Sequence, residues 1–128
     1  MPFIFVLLLS TNIVSPVLTV HLQQSEPETP KEMAVRIATE HGLNVPRFLR
    51  VIECESGWNV RAVGDNGTSF GLAQLHNVQT DWGMTKEEAF DPETALETMA
   101  KAWVRGLESK WTCWKLDTQP RQTVKAGS

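Results

Sequence analysis

Two glutamates stand two residues apart in the segment 51–59, which reads VIECESGWN. At about 100° per residue around a helix, Glu55 falls on the apolar side, whereas Glu53 points away from it. A carboxyl group among apolar side chains resists ionisation, so its pKa rises and it can keep a proton near neutral pH. Such a group can protonate a poor leaving group and then act as a base in a second step. The apolar side of the predicted helix consists of Phe48, Val51 and Ile52.

A structural interpretation of Glu55 is open on the same residues. The side chain stands near the C-terminal end of its predicted helix, where a carboxylate can reach water. It can also pair with Arg47 or Arg50, which precede it on the chain. The helix alone does not decide between a buried acid and an ordinary surface carboxylate.

The elements that must position these residues are mainly helical. Residues 29–32 (TPKE) combine a capping threonine, a proline at the first helical position and a glutamate three residues after the cap, which predicts a helix that ends at Gly42. A second helix, from about Pro46 to Ser56, carries Glu55 and ends at Gly57. The segment 61–70 (RAVGDNGTSF) predicts a loop or short hairpin, and 71–75 (GLAQL) a short helical turn.

The C-terminal half is predicted to be helical as well. Residues 85–88 (TKEE) form another capping box, and the longest helix starts at Asp91 and Pro92. The small residues on its buried side would let another helix approach closely. That side is predicted to contain Ala95, Leu96, Met99, Ala102, Trp103, Gly106 and Leu107.

A chain of 128 residues, 41% of them hydrophobic, suits one small domain. Residues 1–20 have no charged side chain and predict a signal peptide or an N-terminal membrane anchor. A polar linker is expected over residues 21–29, the folded domain over 30–116 and a flexible tail over 117–128.

Charge and ligand types narrow the partners. Twelve basic and fifteen acidic residues give a net charge of −3, which excludes binding to nucleic acid through bulk charge. We expect a monomer that needs no cofactor. The two cysteines and the three histidines, His21, His41 and His76, are too scattered to predict a metal site.

The wider pattern around Glu55 is specific. Segments 55–59 (ESGWN), 62–63 (AV) and 71–75 (GLAQL) together resemble the catalytic domain of the soluble lytic transglycosylases, and the similarity covers about residues 31–114. The resemblance implies a mainly α, lysozyme-like helical domain with a short loop or β-hairpin after the catalytic helix. It also implies cleavage of the β-1,4 bond between N-acetylmuramic acid and N-acetylglucosamine in bacterial peptidoglycan. Glu55 would protonate the leaving oxygen and then take the proton of the muramyl C6 hydroxyl as a 1,6-anhydro ring closes.

Two departures from this family leave other functions open. The loop 64–70 is one residue longer than the common pattern, and the chain has no tyrosine, which many members carry in an A-Y-N motif. If Asp65 lies across a cleft from Glu55, it can hold a water, and the protein would be a lysozyme. A non-catalytic glycan-binding module is the third alternative.

Several further residues are candidates for contact with the substrate. Gln74 matches the glutamine on the cleft side of the family, where it would bind substrate or brace the loop. Ser69 could reach the glycan or close a turn. Flat aromatic faces suit sugar rings, and Trp58, Trp111 and Trp114 are the candidates for the cleft, with Trp58 and Trp114 assigned to the substrate.

Two features are expected to hold the helix that carries Glu55. Ser56 and Asn59 would fix its end and the following loop. Cys54 and Cys113, the only cysteines, would form a disulfide in an exported protein. This bond would contribute about 4 kcal/mol by closing a loop of roughly sixty residues. The expected location is secreted, periplasmic or associated with the cell wall.

Overall fold

The computed structural model describes residues 25–117, and within them the chain is mainly helical with one small sheet. The predicted signal peptide or anchor (1–20), part of the predicted linker (21–24) and residues 118–128 of the predicted tail lie outside the described residues. Between residues 25 and 117, no helix is long and apolar enough to cross a membrane.

The elements follow the order α1–α2–β1–β2–β3–α3–α4–α5–α6, with a 3-10 helix at Glu108–Lys110 before α6. The strands are β1 (Val63–Gly64), β2 (Ser69–Phe70) and β3 (Leu75–His76). The helices are α1 (Pro30–Glu40), α2 (Val45–Ser56), α3 (Val78–Asp81), α4 (Lys86–Phe90), α5 (Pro92–Val104) and α6 (Thr112–Asp117).

The predicted helix starts at the two capping boxes are confirmed. The Thr29 hydroxyl accepts from the Glu32 N–H at 3.2 Å, and the Glu32 carboxylate accepts from the Thr29 N–H at 2.8 Å. Thr85 and Glu88 make the same pair of bonds at the start of α4. Each box satisfies N–H groups that have no partner inside the helix, which is why both helices begin at these residues.

Helix α2 has the predicted orientation. It starts after Asn44, whose side chain accepts from the Arg47 N–H at 3.0 Å, and it ends at Gly57, which has a φ of 58°. Glu53 is exposed. The side chains that anchor the helix in the core are fully buried, as predicted: Phe48, Val51 and Ile52.

The segment after α2 folds into a three-stranded antiparallel sheet in the order β1-β2-β3. The predicted hairpin is therefore confirmed. The helical turn predicted over 71–75 does not form. Residues 71–74 make a non-helical turn, and Leu75 belongs to β3, where it pairs with Phe70. The turn packs closely on α4: Gly71 has a φ of +78°, and a Cβ there would lie 2.0 Å from the Ala89 carbonyl oxygen. Only glycine fits at this position.

Helix α5 packs against α1 and ends earlier than predicted. Gly106 is exposed, with a φ of +77°, so its assignment to the buried side was wrong. The helix ends at Val104, and the positive φ two residues later is typical of the glycine that follows a helix end. Trp103 is buried and meets Phe48 of α2 edge to face, with ring centroids 5.2 Å apart. The other buried members of the predicted side are Ala95, Leu96, Met99 and Ala102.

Candidate functional site

Glu55 lies in the last turn of α2 and is half-buried. Burial raises the pKa of its carboxyl group above the ordinary value, the backbone N–H of Cys113 lowers it, and the negative charge of Asp65 raises it again. The Cys113 N–H donates to Oε1 at 3.1 Å. The net effect is a raised pKa, so Glu55 keeps its proton to higher pH than a solvated glutamate does.

The predicted disulfide is present and lies next to this carboxyl group. Cys54 on α2 is bonded to Cys113 in the first turn of α6, with Cα atoms 6.0 Å apart. The covalent link therefore holds the first turn of α6 beside Glu55. The N–H that contacts Glu55 belongs to a residue that the disulfide itself fixes.

The two arginines near Glu55 have another partner. Arg50 Nε lies 2.9 Å and Arg47 Nε 3.3 Å from the carboxylate of Asp117 on α6. These ion pairs connect α2 with α6 a turn or more away from Glu55. The alternative in which Glu55 is simply the partner of Arg47 or Arg50 does not correspond to the structure.

The carboxyl group of Glu55 borders an open cleft with a volume of about 430 Å³. The end of α2 and residues 110–112 border the cleft, and so does the β1–β2 hairpin with β3, which we call the hairpin wall. An open cleft of this size can admit part of a chain-like substrate. Its lining residues are Glu55, Asp65, Asn66, Thr68, Gln74, His76, Lys110, Trp111 and Thr112.

Asp65 is on the hairpin wall of this cleft, and its side chain is 70% exposed. Asp65 and Asn66 both have positive φ angles, 50° and 56°, and the Gly67 N–H donates to the Gly64 carbonyl at 3.0 Å. This is the tight hairpin turn that the Asp-Asn-Gly sequence favours. The turn directs Asp65 into the cleft that Glu55 also borders.

Ser69 holds the Asp65 side chain through a hydrogen bond. Its hydroxyl donates to Asp65 Oδ2 at 2.5 Å and lies 3.2 Å from His76 Nδ1. Ser69 is fully buried and does not line the cleft. Its position corresponds to a role in holding the hairpin wall, so the structure does not place it where a glycan could reach it.

Gln74 lines the cleft and also braces the hairpin. Its side-chain amide nitrogen donates to the Ala62 carbonyl at 3.1 Å and to the Gly71 carbonyl at 2.9 Å. Its side-chain oxygen lies so close to the hairpin that a Cβ at Gly64 would be 2.3 Å away from it. Gln74 therefore braces the loop, as one of its two predicted roles requires. A contact between Gln74 and the substrate stays a prediction.

Of the three tryptophans predicted to be candidates for the cleft, only Trp111 lines it. Trp111 lines the cleft, is only 4% exposed, and donates from Nε1 to the Ala73 carbonyl at 2.7 Å. Trp58 and Trp114 are half-buried and are not among the residues that line this cleft. The Trp114 ring instead lies 4.7 Å from the Arg47 guanidinium. The aromatic surface next to Glu55 is thus Trp111.

A smaller compartment of about 140 Å³ continues the cleft and shares Gln74, His76, Lys110 and Trp111 with it. Trp82 and Asp81 border this compartment, and the Lys110 ammonium lies 5.6 Å from the centre of the Trp82 ring. Sequence reasoning did not select His76, Trp82 or Lys110. The position of His76 directly after the GLAQL segment was the one available signal.

The end of α2 is held as expected. The Ser56 hydroxyl donates to the Ile52 carbonyl at 3.0 Å, and the Asn59 side chain accepts from the Arg61 N–H at 3.0 Å. Neither residue lines the cleft. Within residues 25–117, no group of three or more acidic, histidine or cysteine side chains is arranged to hold a metal ion.

Comparisons with known proteins identify no relative of this chain: no protein family, curated protein or solved structure matches it. The features that bear on function are therefore those of the cleft itself. Its chemical elements are a half-buried carboxyl group with a raised pKa (Glu55), an exposed carboxylate on the hairpin wall (Asp65) and an aromatic side chain (Trp111) that borders the same cleft.

Proposed function

We propose that the protein is a peptidoglycan lytic transglycosylase with Glu55 as its single acid/base. The observation that carries the proposal is the half-buried Glu55 carboxyl group, whose pKa is raised and which borders an open cleft. A helix that carries this glutamate in its last turn and is followed by a hairpin is compatible with a lysozyme-like domain. The ordered segments ESGWN, AV and GLAQL add the resemblance to this family.

The two oxygens of Glu55 would have different roles. Oε1 accepts from the Cys113 N–H, and Oε2 has no hydrogen-bond partner among residues 25–117. Oε2 is therefore the natural position for the proton that Glu55 transfers. In the first step this proton goes to the glycosidic oxygen as the bond from the muramyl C1 breaks.

In the second step the muramyl C6 hydroxyl oxygen bonds to C1, and its proton returns to Glu55. The enzyme ends in its starting protonation state, and no water is consumed. The product is a 1,6-anhydro sugar. One protein carboxyl group suffices because the substrate supplies the nucleophile, whereas most glycosidases need a second carboxylate.

Hydrolysis is the second candidate, and the position of Asp65 favours it. Asp65 is exposed, borders the same cleft, and acts on the pKa of Glu55 through its charge. A carboxylate across the cleft can hold and activate a water that attacks the sugar in place of the C6 hydroxyl. The protein would then be a lysozyme that uses the same acid.

Digestion of purified peptidoglycan, followed by mass spectrometry of the products, separates these functions. We expect products one water lighter than hydrolysed muropeptides from wild type and from Asp65→Asn. Glu55→Gln should be slower by about 10²- to 10⁴-fold, the usual contribution of a general acid. Glu53→Gln is the matched control, because Glu53 is exposed on the same helix and does not line the cleft.

Other outcomes would replace the proposal. Ordinary reducing-end products that are lost in both Glu55→Gln and Asp65→Asn would make the protein a lysozyme. Glycan binding without cleavage by wild type would make it a non-catalytic binding module.

We further propose that the protein acts outside the cytoplasm, at the cell wall. The Cys54–Cys113 disulfide supports this, because such bonds persist in oxidising compartments. Fractionation of producing cells, with a thiol-labelling gel shift on each fraction, tests the location. A cytoplasmic pool in which both cysteines react with the label would contradict it.

A further inference from the structure

Asp65, Thr68, Ser69 and His76 form one hydrogen-bonded cluster on the hairpin wall. The Ser69 hydroxyl donates to Asp65 Oδ2 at 2.5 Å, and the Thr68 hydroxyl donates to the Asp65 carbonyl at 2.7 Å. His76 Nδ1 lies 3.1 Å from the Thr68 hydroxyl oxygen and 3.2 Å from that of Ser69. Both hydroxyl groups therefore contact Asp65 and His76 at the same time.

A hydroxyl group has one proton, and each of these two protons is used on Asp65. An ionised carboxylate and a backbone carbonyl only accept, so neither contact can be reversed. Towards His76, both hydroxyl oxygens can then act only as acceptors. His76 Nδ1 must therefore carry a hydrogen, which assigns the neutral ring to the Nδ1–H tautomer.

The other ring nitrogen is then an acceptor. In the neutral Nδ1–H tautomer, Nε2 carries a lone pair. Nε2 makes no hydrogen bond within residues 25–117, and it lies on the far side of the ring from the atom that faces Thr68 and Ser69. The His76 side chain is 51% exposed and borders both the main cleft and the smaller compartment.

We propose that His76 is a substrate-binding residue whose unprotonated Nε2 accepts a hydrogen bond from a hydroxyl or acetamido N–H of the glycan. The assignment of a glycan as the ligand rests on the proposed function. Among the charged groups near His76, Lys110 can only donate, and Glu55 keeps its proton for transfer. Asp65 Oδ2, 3.9 Å from Nδ1, already accepts from Ser69, and Asp81 borders only the smaller compartment. Beside these charged groups, Nε2 of His76 offers the cleft an uncharged acceptor.

The first test does not depend on activity. Nitrogen-15 NMR of the neutral imidazole rings reports which nitrogen carries the hydrogen. We expect Nδ1–H for His76, and an Nε2–H tautomer would overturn the proposal. Addition of tetra-N-acetylchitotetraose should then shift the Nε2 resonance, and binding without such a shift would also overturn it.

Two variants separate the two sides of the ring. The amide of His76→Asn can replace Nδ1 as the donor to the hairpin but offers nothing at the Nε2 position. The amide oxygen of His76→Gln can replace Nε2 as an acceptor. We expect His76→Asn to lower kcat/KM on peptidoglycan about three- to tenfold, mainly through KM, as expected for one neutral hydrogen bond.

His76→Gln should retain more of the wild-type kcat/KM than His76→Asn does. If wild type cleaves and His76→Asn matches it, or if His76→Gln is the weaker of the two, the Nε2 role is overturned and the proposed function stands. If wild type does not cleave, the proposed function fails. The tautomer and the chitotetraose titration then decide the Nε2 assignment separately.

Discussion

Removal of the Cys54–Cys113 disulfide should destabilise the domain strongly. The two residues are 59 positions apart. The chain-entropy relation for a loop of this length gives about 14 cal/mol/K, or about 4 kcal/mol at 25 °C. A small domain has a total free energy of unfolding of about 5–15 kcal/mol, so this bond accounts for a large share of it.

The assay is urea unfolding of the same chain with the bond intact and after reduction, followed by tryptophan fluorescence. Trp103 and Trp111 are both buried, so their emission reports the core. We expect the free energy of unfolding to fall by about 4 kcal/mol on reduction. A loss below about 1 kcal/mol would refute the reasoning, because the unfolded chain would then gain little freedom from the break. Cys54→Ala, which opens the bridge at its exposed end, is the control for effects of the reductant.

Reduction of the Cys54–Cys113 disulfide should also change the pKa of Glu55. The Cys113 N–H lowers the pKa of Glu55, and the disulfide holds this N–H in place. In reduced protein that stays folded, we expect this hydrogen bond to weaken, so the pKa of Glu55 rises further. Under the proposed function, the basic limb of the pH profile for peptidoglycan cleavage, where Glu55 loses its proton, should then move to higher pH. An unmoved limb would mean that the ion pair of Arg50 with Asp117 is enough to keep α6 in place.

Three further changes have defined outcomes. The raised pKa of Glu55 makes its ionisation more costly in the folded state, so stability falls as pH rises from the ordinary pKa of glutamate through the raised one. Glu55→Gln should therefore be more stable than wild type at pH 7 in urea unfolding. The difference should shrink as the pH falls from the raised pKa to the ordinary one and be lost below it. Gly71→Ala should lower the free energy of unfolding by about 1–3 kcal/mol through its positive φ, and further because a Cβ would contact the Ala89 carbonyl. Gly67→Ala, also at positive φ but in open space, should show only the first loss. Equal losses in the two variants would contradict the packing argument. Trp111→Phe should cost about 1–3 kcal/mol in the same assay, because a buried carbonyl loses its donor, and an unchanged stability would mean that water replaces it.

Much of the fold is predictable because its signals are local. A capping threonine and a glutamate three residues later interact only with their own helix turn, so the starts of α1 and α4 follow from the sequence. The side of α2 that is buried follows from the helical period in the same way. The predicted end of α5 was too late, because the sequence does not distinguish a glycine inside a helix from a glycine at positive φ that follows one. The φ of Gly106 shows that it is the second kind.

The aromatic residues were harder, since their placement is tertiary. Trp111 and Trp114 lie three residues apart in one Trp-rich segment, and nothing in that segment shows which faces Glu55. The structure decides through partners far along the chain. The Ala73 carbonyl holds Trp111 at the cleft, and the Arg47 guanidinium lies over Trp114. A spacing pattern does not contain contacts of this kind.

The electrostatics of Glu55 follow the same logic. The sequence predicts that the carboxyl group is partly buried, because this depends on the helical period of α2. It leaves two further facts open: the donor that lowers the pKa is Cys113, 58 residues away, and the arginines beside Glu55 are engaged by Asp117. Both facts come from α6, which the disulfide and the ion pairs hold against α2. The environment of Glu55 is therefore formed by two segments that are far apart in the sequence, α2 and α6. A change in how α6 is attached should alter the pKa of Glu55 without any substitution in the cleft.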